Sequence, residues 1–94
     1  LASAGLKRLG FEEYITENLR QDISLPAVGQ GAIGIECLAD AEEIIQIISK
    51  LNHEETSIRI AAERAFNNRL NGGCQAPIAG YAELTEKGLW LRRP

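Results

Sequence analysis

The chain has 94 residues, 45% of them hydrophobic and 24% charged, and carries a net charge of −3. That is about one small domain of ordinary soluble composition, with room for a modest core only. No apolar run of ~18 residues occurs, which excludes a membrane-spanning helix, and the scattered Lys and Arg side chains argue against a nucleic-acid surface, which needs a clustered basic face.

Cys37 and Cys74 are the only cysteines and His53 the only histidine. Two cysteines do not make a disulfide framework, and neither has a nearby Cys or His at zinc or iron–sulfur ligand spacing, so no metal site is expected. Reduced cysteines and the lack of a charged-then-apolar leader suit the cytoplasm. The chain starts at Leu1, contains no methionine and stops at Pro94 after a strand-like run. It is therefore expected to be a piece of a longer protein, with some functional residues outside it.

Residues 1–9 (LASAGLKRL) place apolar side chains at helical spacing and run into Gly10, a C-terminal stop signal. Residues 11–19 read as a short helical or turn stretch of mixed polarity. Pro26 then marks an extended edge and opens PAVGQGAIG, where Gly29, Gly31 and Gly34 allow sharp turning or close approach to a ligand. Residues 32–38 (AIGIECL) read as a short buried strand, with Cys37 as a small buried hydrophobe.

Asp40 has the character of an N-cap, with Glu43 completing a capping box, and Ile44, Ile47, Ile48 and Leu51 form one apolar stripe after it. Asn52 and Glu55 repeat that signal for a second helix. Its expected buried face is Ile58, Ala61, Ala62, Ala65 and Phe66, with Glu54, Glu55, Arg59, Glu63 and Arg64 turned to solvent. This helix ends at Gly72-Gly73. Pro77 then precedes a strand over residues 78–84, a turn at Glu86-Lys87-Gly88 and a returning strand from Leu89, with Trp90 expected to pack. The fold class is α+β, in the order helix, strand, helix, helix, hairpin.

Cys74 is the strongest candidate for chemistry. It follows a double glycine in a loop, where a large group can reach the sulfur. The helix before it presents a negative C-terminal end, which does not favour a thiolate. A permanent covalent anchor, unlike a turning-over nucleophile, needs no lowered pKa. PAVGQGAIG lacks the Lys-Ser/Thr of a P-loop and is not a strand-to-helix dinucleotide loop, so it reads as a connector. Lys7 and Arg8 complement the negative end of the first helix.

Four blocks in order, LASAGLKRLG, SLPAVGQGAIGIEC, LNHEETSIRIAAERAFNNRL and GGCQAPIAGYAEL, make the chain resemble the porphobilinogen deaminase (hydroxymethylbilane synthase) family over essentially its whole length. The resemblance implies a fragment of a monomeric three-domain mixed α/β enzyme. Residues 1–25 would end domain 2, residues 26–51 would be the hinge and returning strand–helix of domain 1, and residues 52–94 would start the C-terminal cofactor-attachment domain.

The resemblance further implies that Cys74 holds a dipyrromethane cofactor by a thioether. Four porphobilinogens would then be added head to tail with loss of ammonia, through an azafulvene electrophile, to give hydroxymethylbilane for tetrapyrrole biosynthesis. The family's arginines bind the acetate and propionate groups, and Arg8 matches one of them. Gln30 and Gly31 match positions that approach the cofactor. The assisting aspartate would lie upstream of Leu1, so no catalytic residue is expected within these residues and the fragment alone should not turn over. The expected partner is the small-molecule substrate, with no nucleic acid or membrane.

Two other readings compete. In one, the chain is a non-catalytic binding or assembly module with an incidental Cys74. In the other, Cys74 and His53 form a thiol catalytic pair, but they sit at opposite ends of one helix, roughly 30 Å apart at 1.5 Å per residue, beyond hydrogen-bond reach. An isolated fragment is expected to self-associate or pack non-natively through the open edge of its hairpin.

Overall fold

The computed structural model describes residues 1–70 and 77–94. The expectation for the Gly72-Gly73 helix stop and for Cys74 lies outside the described residues. The described residues form α1 (Ser3–Arg8), a 3-10 turn (Glu12–Tyr14), α2 (Glu42–Ser49), α3 (Glu54–Arg69), β1 (Tyr81–Thr85) and β2 (Gly88–Arg92). This is the α+β class expected from the sequence.

α1 closes as its composition dictates. Gly10 takes a left-handed φ of 75°, its N–H donates to Lys7 C=O at 3.1 Å, and Phe11 N–H donates to Leu6 C=O at 2.9 Å. That pair of bonds is a Schellman motif, which satisfies carbonyls the helix would otherwise leave unpaired. The Ser3 hydroxyl donates to Asn18 Oδ1, tying α1 to the segment after the 3-10 turn.

Several expectations are corrected. Residues 32–38 form no strand. Ile33, Ile35 and Leu38 are 87%, 52% and 75% exposed, and Cys37 is exposed rather than buried. A lone extended segment becomes a strand only when a neighbour accepts its ladder, and none of the described residues supplies one here. Helix α2 starts one residue later than expected, with Ala41 at the N-cap and no side-chain capping bond, so Asp40 does not cap it. Its isoleucine stripe is largely exposed, with Ile44 at 50% and Ile47 at 66%.

Helix α3 is capped by His53, whose ring nitrogen accepts the Thr56 N–H at 3.3 Å. Asn52, the expected cap, instead accepts the Ser57 hydroxyl at 2.6 Å.

The hairpin follows its prediction closely. β1 and β2 pair antiparallel from Tyr81 opposite Arg92 to Thr85 opposite Gly88, leaving Glu86 and Lys87 as the loop. The Thr85 hydroxyl donates to Gly88 C=O and accepts the Lys87 N–H, which fixes that loop. The first strand starts later than residue 78 because Ala79 forms an isolated bridge with Ala27 and Gly80 N–H donates to Pro26 C=O. Glu83 and Arg92, diagonal neighbours on one face, are joined by an Arg92 Nε to Glu83 Oε2 bond of 2.6 Å. That bond, with the attraction between the two charges, holds the Arg92 proton more tightly. Trp90, expected to pack, is 59% exposed.

The core is small and sits where α3 crosses the start of β1. Ala82 is fully buried, and the buried charged residue beside it is Glu63.

Candidate cofactor-binding site

The turn over residues 26–31 is the region in which the sequence-predicted Gln30 and Gly31 lie. Gln30 N–H donates to Ala27 C=O and Ala32 N–H donates to Gly29 C=O, each at 3.1 Å. Gly29 and Gly31 have φ of 75° and 86°, a left-handed backbone that side-chain-bearing residues adopt only at a cost. Nothing lies within 4 Å of where a Cβ on Gly31 would be. The tip of the turn, Gln30 and Gly31, is exposed, so a flat ligand can approach its backbone without meeting a side chain.

The turn is held from beneath. Its start is bridged to Ala79, and Pro26 C=O accepts the Gly80 N–H at 3.2 Å. Its centre is held by Glu63 of α3, whose Oε2 accepts the Gly29 N–H at 2.7 Å. The other oxygen of the same carboxylate, Oε1, accepts the Ala82 N–H of β1 at 2.8 Å. Glu63 is only 3% exposed. A buried carboxylate is tolerated because each oxygen is satisfied by a fixed backbone donor.

One helical turn earlier, Arg59 Nε donates to Ala82 C=O at 2.6 Å, and its guanidinium lies 4.9 Å from the centre of the Tyr81 ring. Arg59 also meets Glu55 at 3.7 Å, the i,i+4 pair expected from the sequence. Both peptide groups of Ala82 are thus gripped by α3 side chains one turn apart.

This overturns the sequence-based orientation of α3. Glu63 and Arg59, expected to face solvent, face the hairpin, while Ile58, Ala61 and Ala65, expected inside, are exposed. Ala62 and Phe66 keep partial burial, and Phe66 lies 3.3 Å from the Cβ position of Gly80. The sequence carried no signal for this, because Ile58, Ala61, Ala62, Ala65 and Phe66 form an apolar stripe at helical spacing that the fold leaves largely outside.

Arg8, the expected carboxylate ligand, is exposed near the end of α1. It makes no side-chain hydrogen bond or ion pair among the described residues. The described structure does not bring it against Gln30 or Gly31. A groove beside the turn is lined by Gly31, Ile33, Ile45, Ile48, Thr56 and Ile60, among others. Among the described residues no cluster of three His, Cys, Asp or Glu could hold a metal, and no helix is long and apolar enough to cross a membrane. His53 is occupied as the α3 cap.

A dipyrromethane is a pair of pyrrole rings joined by a methylene and carrying several carboxylates. An exposed guanidinium without an ion-pair partner among the described residues and a glycine turn with an open backbone are the kinds of group that suit it by residue type.

The described residues thus form a mixed α+β chain in which an exposed glycine turn is bonded to a helix-backed hairpin. Residues 1–46 match the family model described as porphobilinogen deaminase, dipyrromethane cofactor binding domain, and residues 57–93 match that described as porphobilinogen deaminase, C-terminal domain. The chain belongs to the porphobilinogen deaminase family. Its chemistry is that of hydroxymethylbilane synthase, a transferase of tetrapyrrole biosynthesis that works on porphobilinogen with a dipyrromethane cofactor.

Proposed function

We infer that the chain supplies the cofactor-anchoring part of a longer three-domain hydroxymethylbilane synthase, with Cys74 as the point of thioether attachment. Residues 1–25 belong to domain 2, residues 26–51 to the hinge and the returning part of domain 1, and residues 52–94 to the C-terminal domain. What carries the reading is the succession of the two family matches, one to a cofactor-binding domain over residues 1–46 and one to the C-terminal domain over residues 57–93, the second spanning Cys74.

The covalently held dipyrromethane supplies the free pyrrole position onto which porphobilinogen units are joined. The chain's own residues bind and orient. Arg8, with no ion-pair partner among the described residues, offers a planar fork for an acetate or propionate carboxylate, where two parallel N–H bonds fix direction as well as charge. Gln30 and Gly31 present side chain and open backbone at an exposed tip. Glu63 holds that tip against the hairpin. The carboxylate that assists deamination lies outside these residues, so the chain by itself turns nothing over.

The substrate is a small molecule, and the net charge of −3 favours no nucleic-acid partner. The site of action is the cytoplasm. Taken alone, the chain self-associates through its two-stranded sheet, whose outer edges invite further pairing.

The test is the mass of the Cys74 peptide from the complete active enzyme, with pyrrole-specific aldehyde staining. The expected result is an addition of two pyrrole units on the sulfur and loss of staining in Cys74→Ser. A free thiol in a fully active enzyme overturns the assignment.

A further inference from the structure

The geometry points to Glu63 as a positioning residue for the cofactor, a clamp that fixes the Gln30–Gly31 tip relative to the segment just downstream of Cys74. The inference rests on the proposed cofactor role of those three residues and adds a member that touches neither substrate nor cofactor.

Three observations converge on it. Glu63 is almost fully buried, where a carboxylate side chain is rare unless its charge is matched. Both its oxygens are used, and on different parts of the chain: Gly29 lies 34 residues before it and Ala82 lies 19 residues after it. The remaining links between the same two segments, the Ala27–Ala79 bridge and the Gly80 to Pro26 bond, all fall at the start of the turn. The bond nearest the tip is therefore the one Glu63 makes to Gly29.

Without it, the turn keeps its internal bonds, Gln30 N–H to Ala27 C=O and Ala32 N–H to Gly29 C=O, but loses the link that holds its centre to the rest of the fold. The stretch from Ala79 to Ala82, fixed by the same carboxylate, leads back to Cys74 within a few residues. One side chain thus joins the turn that carries Gln30 and Gly31 to the described stretch that follows the proposed anchor in sequence.

Glu63→Gln separates positioning from folding. The amide keeps one acceptor oxygen but sets an N–H donor against a backbone N–H, so one of the two bonds is lost with little change of volume. Glu63→Asp keeps the charge but is one methylene too short to span both donors. Arg59→Gln is the comparison, because it releases Ala82 C=O without touching the turn.

In the complete enzyme, Glu63→Gln and Glu63→Asp are expected to lower kcat about tenfold to a hundredfold, since small misplacements near a reacting centre have effects of that order. KM should move little, because the substrate-binding arginines are intact. Arg59→Gln is expected to lower the melting temperature while leaving kcat within about twofold. Hydrogen–deuterium exchange of the peptide covering residues 26–32 should rise in the Glu63 variants and not in Arg59→Gln.

Unchanged exchange over residues 26–32 in Glu63→Gln overturns the clamp. So does a loss of activity that merely follows the loss of folded protein in all three variants. A wild-type enzyme lacking pyrrole on Cys74 overturns the functional reading and with it the positioning role, while the exchange measurement still decides separately whether the clamp exists.

Discussion

Arg59 and Tyr81 form a stacked pair, the guanidinium 4.9 Å from the ring centre, while Arg59 Nε donates to the carbonyl of the neighbouring Ala82 at 2.6 Å. The two contacts use different properties of one planar cation: its face lies on an aromatic quadrupole and its edge makes a charge-assisted hydrogen bond. A helix and a hairpin far apart in sequence are joined by this arrangement.

Arg59→Lys keeps the charge but loses the planar fork, and it is expected to destabilise the fold by roughly 1.5–3 kcal/mol, the range for hydrogen bonds to charged groups. Tyr81→Leu should cost less, about 0.5–1 kcal/mol beyond any change in apolar burial. Urea unfolding of the two single variants and of the double variant measures both. Strict additivity would show that the stacking and the hydrogen bond are not coupled.

Arg8 makes no ion pair among the described residues, so its replacement should leave stability nearly unchanged, within about 0.5 kcal/mol as for most surface positions. Its predicted effect is on ligand carboxylates. Arg8→Gln in the complete enzyme should weaken cofactor retention or raise KM for porphobilinogen about tenfold or more, as expected for a lost charged hydrogen bond. Arg8→Lys should recover only part of this, because a point charge does not reproduce a bidentate fork. Steady-state kinetics with a thermal melt alongside would decide, and a variant that melts early with normal KM would contradict the role.

Gly10 ends α1 in the left-handed region with both Schellman bonds made. Gly10→Ala should lower stability by roughly 1–2 kcal/mol, the cost of that conformation for an L-residue. Gly10→Asn should cost less, since Asn tolerates it better. Thermal unfolding of the two variants provides the comparison, and equal melting temperatures for Gly10→Ala and wild type would contradict the assignment.

What was legible in the sequence was local. Gly10 predicted its own cap, and the Glu86-Lys87 loop and its flanking strands followed from turn residues between alternating runs. The starts of α2 and α3 were right to within about a residue, but the capping atoms were not: His53 took the place expected of Asn52, because a ring nitrogen at the correct spacing accepts the same N–H. The strand expected over residues 32–38 failed for a different reason. Its composition is that of a buried strand, but composition supplies no ladder partner, and the described chain leaves Ile33 at 87% exposure.

Of the proposed site, the family resemblance supplied Arg8, Gln30 and Gly31, and the double glycine before it singled out Cys74, while Glu63 and Arg59 were assigned to solvent. Charge is a good guide to exposure when no partner is in view, and the partners of both are backbone groups of residues in other segments, Gly29 and Ala82. No periodicity within α3 encodes them.

The sequence by itself determined the hairpin turn, the helix stop at Gly10 and the four motifs that carry the family, because these depend on the backbone preferences of neighbouring residues and on residue identity. Only the tertiary structure decided which face α3 buries. That choice is set by whether a carboxylate and a guanidinium find fixed backbone partners across the fold, and the free energy of burying a charge changes sign with the answer.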